Sequence, residues 1–152
     1  MVRRGVDPLS TEGSKRSGGR YNPAGQFGAV YSSLEAKTAA AEVARSLKAR
    51  GLDPATYAPD DWWVYELEVK LERALDLTNP VVLARLGLDA PALIGPDSEL
   101  TRQLGAAARA NGYEGVLAPS AAVSSETNLI LFPENLARSP AVRSSSPVNV
   151  SD

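Results

Sequence analysis

Gly18-Gly19-Arg20-Tyr21-Asn22-Pro23-Ala24-Gly25 runs into Phe27-Gly28-Ala29-Val30-Tyr31, and the stretch Ser32 to Gly51 follows with Ala36, Ala39, Ala40, Val43 and Leu47 at helical spacing. The first segment is a turn-forming string. The second is a short apolar run bounded by turn residues and closed by an aromatic, which predicts a strand. In the third, Ser32 with Glu35 three residues on has the form of a capping box, and Gly51 is a stop, which predicts one helix between them. Loop, strand and helix in this order point to an α/β arrangement.

The flanking sequence extends that pattern. Upstream, residues rich in Gly, Ser and charge predict a loop with at most a short strand near Val2 to Val6. Downstream, Trp63, Tyr65, Leu67, Val69 and Leu71 alternate with Glu66, Glu68 and Lys70, giving the clearest strand. Asn79-Pro80 caps a short helix to about Leu86, and Asp97 or Ser98 starts another that Gly112 closes. Gly115 to Leu117 and Leu129 to Phe132 predict two short buried strands. The expectation is a single compact domain over residues 1–138, with a mixed sheet flanked by helices. Residues 139–152 form a Ser- and Pro-rich tail that is either a disordered end or, through Val148 and Val150, an edge strand.

Composition narrows the chemistry. A chain of 152 residues, 43% hydrophobic, suffices for one core. Net charge is −2 and the pI about 5.2, which argues against direct nucleic-acid binding. The basic residues that cluster lie early: Arg3, Arg4, Lys15, Arg16 and Arg20 against Asp7 and Glu12. With no cysteine and no histidine, thiol chemistry, Ser-His-Asp triads and metal sites built on Cys or His are excluded. No membrane span or apolar leader is recognisable, so the expected address is cytoplasmic.

Chemistry must then rest on Arg, Tyr, Ser, Asp, Glu or Lys. Arg20 stands in a loop whose glycines let the backbone approach a ligand, and its guanidinium suits phosphate or carboxylate; a solvated surface turn is the ordinary alternative. Tyr31 ends a buried strand and is either core or a stacking surface. Glu42 lies beside the apolar stripe of its helix, either paired and used or solvated near Arg45 and Ser46. Ser120 follows Pro119 at a strand-to-loop junction, where simple turn chemistry would also place it. Glu66 and Glu68 share a face but have no further ligand nearby in sequence, so a metal is not expected there.

Taken together, three stretches resemble the RES domain, the toxin half of a widespread bacterial toxin–antitoxin family. They are Pro8-Leu9-Ser10 through Gly18-Gly19-Arg20-Tyr21-Asn22; Val30-Tyr31 with the alanine-rich helix bearing Glu42; and Gly112-Tyr113-Glu114-Gly115-Val116 through Pro119-Ser120 to Asn128-Leu129-Ile130-Leu131-Phe132. Arg20, Tyr31 and Glu42 stand eleven residues apart, as the family's Arg, Tyr and Glu do.

The resemblance implies a fold related to ADP-ribosyltransferases and cleavage of NAD, as substrate rather than cofactor, at the nicotinamide–ribose bond. Glu42 would stabilise an oxocarbenium-like ribose. Arg20 would bind the pyrophosphate or a ribose oxygen, and Tyr31 would stack on nicotinamide. Ser120 would donate an orienting hydrogen bond to the bound molecule. The family's first-strand arginine corresponds to Arg3 or Arg4, with Arg3 favoured by its spacing to Leu9. Water, phosphate or a protein side chain are all open as acceptor, the last making a mono-ADP-ribosyltransferase. The implied partner is a helix-turn-helix, DNA-binding antitoxin in an oligomeric complex. Two rivals from other classes are a non-catalytic nucleotide- or partner-binding module and an RNA-cleaving toxin, the latter disfavoured by the acidic pI.

Overall fold

A computed structural model describes residues 1–58 and 60–150. In chain order the elements are β1 (Val2–Arg3), α1 (Glu12–Ser17), β2 (Val30–Ser33), α2 (Ala36–Ala49), β3 (Trp62–Glu68), β4 (Ala74–Asp76), α3 (Pro80–Leu86), α4 (Ala90–Ile94), α5 (Glu99–Ala110), β5 (Gly115–Pro119), β6 (Thr127–Leu131) and β7 (Ala141–Pro147). The expected mixed sheet is β2-β6-β5-β4, in which only β4 and β5 run parallel. Beside it stands a second, wholly antiparallel sheet, β1-β3-β7.

The mixed sheet is buried on both faces, which explains why β5 and β6 read as apolar runs rather than alternating ones. Ile130 and Phe132 join Val116, Ala118, Tyr21, Phe27, Leu77 and Leu93 in the larger core, where the Phe27 and Phe132 rings meet edge to face at 5.8 Å. On the opposite face Leu129 and Leu131 pack with Val30 and half-buried Leu117, Val69 and Leu71. Helices α4 and α5 lie on β5, and α2 lies on β2 and β3.

Several boundaries differ from the sequence expectation, each for a local reason. The upstream loop contains helix α1, whose Ser14 hydroxyl donates to the Ala29 carbonyl and accepts from the Ala29 N–H. With both groups of Ala29 engaged by a side chain, the ladder of β2 begins at Val30 instead of Phe27. Ser32 is not a helix cap: its hydroxyl donates to the Leu129 carbonyl within the sheet, Glu35 occupies the cap position, and α2 starts at Ala36. Helix α3 is capped by the Asn79 side chain as expected. Strand β4 and helix α4 were not anticipated.

At the C-terminal end, β7 pairs with β3 from Ala141, well before Val148. All its side chains are exposed, so no alternation marked it. Arg143 pairs with Glu68 and Ser144 bonds Glu66, which engages both carboxylates of the β3 outer face. The last two residues of the expected tail lie outside those described.

Candidate active site

The loop after α1 is built around one amide. Asn22 is fully buried; its Nδ2 donates to the carbonyls of Ser14 (2.8 Å) and Phe27 (2.9 Å), and its Oδ1 accepts from the Tyr31 hydroxyl at 2.8 Å. That hydroxyl in turn accepts from the Tyr21 N–H, also at 2.8 Å. Tyr31 is therefore anchored by its oxygen while 38% of the residue stays exposed, with the ring on a cavity wall. Tyr31 is thus not a core side chain: its hydroxyl is held while the residue remains partly exposed beside the cavity. Gly19 is required here, because a Cβ would lie 2.3 Å from the Tyr31 hydroxyl oxygen. Arg102, from α5, donates from Nε to the Gly19 carbonyl and holds the loop from behind.

Burial of its hydroxyl pushes the Tyr31 pKa up to about 12, and burial raises Tyr21 as well. Both ionise near their ordinary value of about 10 in the unfolded chain, so between these values the unfolded state binds fewer protons. The stabilisation is complete below about pH 10 and is lost as pH rises through the folded value. Melting temperatures measured from pH 9 to 11.5 should fall with pH, and fall less steeply in Tyr31→Phe. An equal slope in the variant would show that Tyr31 does not carry the effect.

Arg20 extends from the same loop. One terminal nitrogen donates to the carbonyls of Leu93 (3.2 Å) and Gly95 (2.8 Å), at the end of α4. Its pKa is lowered by burial and then by the neighbouring positive charge of Arg45.

Glu42 faces the cavity from α2. Its Oε1 accepts three hydrogen bonds: from the Ser120 hydroxyl at 2.7 Å, Asn128 Nδ2 at 2.7 Å and the Ala121 N–H at 3.2 Å. Asn128 is itself oriented by the Ser33 hydroxyl at 2.6 Å. The carboxylate is thus held at one oxygen by donors from β6 and from the loop after β5, a preorganised negative charge of the kind that stabilises a developing cation. Ser120 was expected to reach the bound molecule. In the structure its one proton goes to Glu42, while its oxygen accepts from the N–H groups of Ala122 and Val123.

These groups line one cavity of about 500 Å³, enclosed by α1, the Gly18–Tyr21 loop, β2, α2 and the ends of β5 and β6. Arg20, Tyr31 and Glu42 are brought together in it. Arg3 is not: its guanidinium lies over the rings of Tyr57 (5.4 Å) and Trp62 (6.0 Å), and Arg4 pairs with Asp60. Both are exposed, held beside β3 by the pairing of β1, and neither lines the cavity. Sequence reasoning passed over Asn22, Asn128 and Arg102, whose roles depend on partners distant in the chain. It also passed over Arg45 as a cavity residue, although its three-residue spacing from Glu42 places both on neighbouring helix positions. The Glu114 carboxylate accepts from the N–H groups of Glu72, Arg73 and Ala137, which hold its pKa below the usual range. That residue stitches the fold rather than the site. Among the described residues no cluster of three or more His, Cys, Asp or Glu side chains could hold a metal, and no helix is long and apolar enough to cross a membrane.

Fold and site together define an α/β domain whose cleft joins a fixed carboxylate, an anchored tyrosine ring and several guanidinium groups. The chain belongs to the RES domain family, whose model matches residues 2–151. It is 32% identical over 115 residues to the NAD(+) phosphorylase MbcT of Mycobacterium tuberculosis, and equally to that of Mycobacterium bovis, over 76% of this chain and 62% of the relative. It is 34% identical over 117 residues to the probable NAD(+) phosphorylase Rv3189 of Mycobacterium tuberculosis, over 77% of this chain and 54% of that protein. The chain's matches thus span less than two thirds of the length of these relatives. Among solved structures, the crystal structure of the M. tuberculosis MbcT–MbcA toxin–antitoxin complex superposes with a TM-score of 0.85 at 27% identity, covering 99% of this chain and 82% of that one.

Proposed function

We propose that this chain cleaves NAD at the nicotinamide–ribose bond and transfers the ADP-ribosyl group to inorganic phosphate, as the toxin of a toxin–antitoxin pair acting in the cytoplasm. The observation that carries this reading is Glu42, fixed by three donors in the same cavity as Arg20 and the exposed Tyr31 ring. As the glycosidic bond lengthens, positive charge spreads over C1 and the ring oxygen of the ribose. A carboxylate that needs no reorganisation stabilises that charge, and its effect falls on the transition state. Tyr31 stacks on the nicotinamide and Arg20 binds the pyrophosphate, its guanidinium steadied by the α4 carbonyls. Phosphate as acceptor is supported by the names of the mycobacterial relatives, and an antitoxin partner by the complex that the fold matches.

The test is to incubate the protein with NAD and follow free nicotinamide, with and without inorganic phosphate. Release that accelerates with phosphate, with ADP-ribose 1-phosphate as product, is the expected result. Release unaffected by phosphate would make the protein a glycohydrolase. No release in either condition would overturn the reading.

A further inference from the structure

Among the described residues four arginines line the cavity, Arg16, Arg20, Arg45 and Arg50, and one acidic side chain, Glu42, already engaged by three donors. Elsewhere on the molecule Arg4, Lys37, Arg109 and Arg143 are paired with Asp60, Glu126, Glu134 and Glu68. Among the described residues Arg16, Arg45 and Arg50 have no such partner. Arg45 is half-buried, while Arg16 and Arg50 are exposed at the cavity mouth. Arg45 also lies close enough to Arg20 to depress its pKa. Glu42 acts on Arg20 in the opposite sense but less strongly than Arg45, so the two like charges in a partly desolvated cavity still favour a further anion.

We propose that Arg45, assisted by Arg16 and Arg50 at the mouth, forms the subsite that holds the acceptor phosphate beside Glu42. The inference rests on the phosphorolytic reading above. Arg45 follows Glu42 by three residues on α2, so their side chains are neighbours on the helix surface, about 5–6 Å apart at Cβ. The acceptor must reach C1 of the ribose, the carbon that Glu42 serves. The diphosphate of NAD joins the same sugar at its opposite, 5′ end, and falls to Arg20, which is tied to the Leu93 and Gly95 carbonyls at the end of α4. An anionic nucleophile approaching a carboxylate is repelled, and adjacent guanidinium groups offset that repulsion; a water molecule has no such requirement. In the step itself, an oxygen lone pair of hydrogen phosphate forms the bond to C1 as the C1–N bond breaks. The bonding pair returns to the pyridinium nitrogen, and neutral nicotinamide leaves. No oxidant or further proton is needed.

The test compares wild type, Arg45→Gln and Arg45→Lys in nicotinamide release, varying phosphate and NAD separately, and measures inorganic phosphate binding by titration calorimetry. Thermal melts check that each variant is folded. Arg45→Gln should raise the KM for phosphate about tenfold or more and that for NAD less than about twofold. The product should shift from ADP-ribose 1-phosphate toward ADP-ribose, and Arg45→Lys should be intermediate because it restores charge without the fork. A rise in the NAD KM alone would place Arg45 on the substrate diphosphate and overturn the proposal, as would no change in either constant. If wild type released no nicotinamide, the phosphorolytic reading would fail by itself. Unaltered phosphate binding in Arg45→Gln would still condemn the subsite separately.

Discussion

Glu42→Gln is expected to lower kcat for nicotinamide release by about three to five orders of magnitude while leaving the KM for NAD within about threefold. The substitution is nearly isosteric. A glutamine carbonyl oxygen can still accept from the Ser120 hydroxyl, Asn128 Nδ2 and the Ala121 N–H, so the side chain stays in place. What disappears is the negative charge, and the neutral sugar of bound NAD has little use for it. The oxocarbenium-like transition state does, in a cleft where water screens the interaction incompletely, so the loss falls almost wholly on turnover. That factor corresponds to about 4–7 kcal/mol of transition-state stabilisation. Steady-state kinetics with a melting curve for each protein decide the matter. A folded variant retaining more than about a tenth of wild-type kcat would remove Glu42 from the chemistry, and a large rise in KM with kcat unchanged would make it a ground-state binding residue.

Gly105→Ala should be the most damaging small substitution in the chain, for a reason found in the site's foundations. A Cβ at this position of α5 would lie 1.9 Å from the carbonyl oxygen of Tyr21 and 2.7 Å from its carbonyl carbon. Both are backbone atoms and cannot rotate away, so helix and loop must separate. The loop carries Arg20, and its Tyr21 N–H anchors the Tyr31 hydroxyl. One turn earlier on the same helix, Arg102 holds the Gly19 carbonyl. Alanine favours a helix over glycine by about 1 kcal/mol, but overpacking against backbone costs about 3–5 kcal/mol here and wins. We expect Tm to fall by about 4–16 °C and activity to fall further than the fraction unfolded explains. Gly13→Ala, in α1, is the control: its Cβ would meet nothing within 4 Å, and it should be neutral or slightly stabilising. Equal melting temperatures for the two variants would show that the α5 contact tolerates a methyl group.

Much of this architecture was open to inspection in the chain itself. The alternation from Trp63 to Leu67, the helical spacing from Ala36 to Leu47, the cap at Asn79 and the stop at Gly112 are local signals, and the elements formed there because nothing tertiary opposed them. The resemblance to the RES domain pattern pointed to Arg20, Tyr31 and Glu42, and these three do converge on one cavity. Expectations failed where a distant partner took the local donor or acceptor. Ser32 has the form of a cap, yet Leu129 receives its proton; Phe27 begins an apolar run, yet Ser14 claims the backbone of Ala29 and delays the ladder. Strand β7 carries no pattern because both its faces are exposed and its backbone alone pairs with β3.

The sequence by itself determined the α/β class and the exclusion of thiol and histidine chemistry, which follow from residue types and short-range periodicity. Arg20, Tyr31 and Glu42 were reached through the resemblance of its motifs to the RES domain. Only the tertiary structure decided that the Ser120 hydroxyl donates to Glu42, that Arg3 rests on Tyr57 and Trp62 outside the cavity, and that Arg45 enters it with no ion-pair partner among the described residues. A side chain's role is set by which donors, acceptors and charges lie within a few ångströms. Those neighbours come from elements dozens of residues away, whose approach no local pattern encodes.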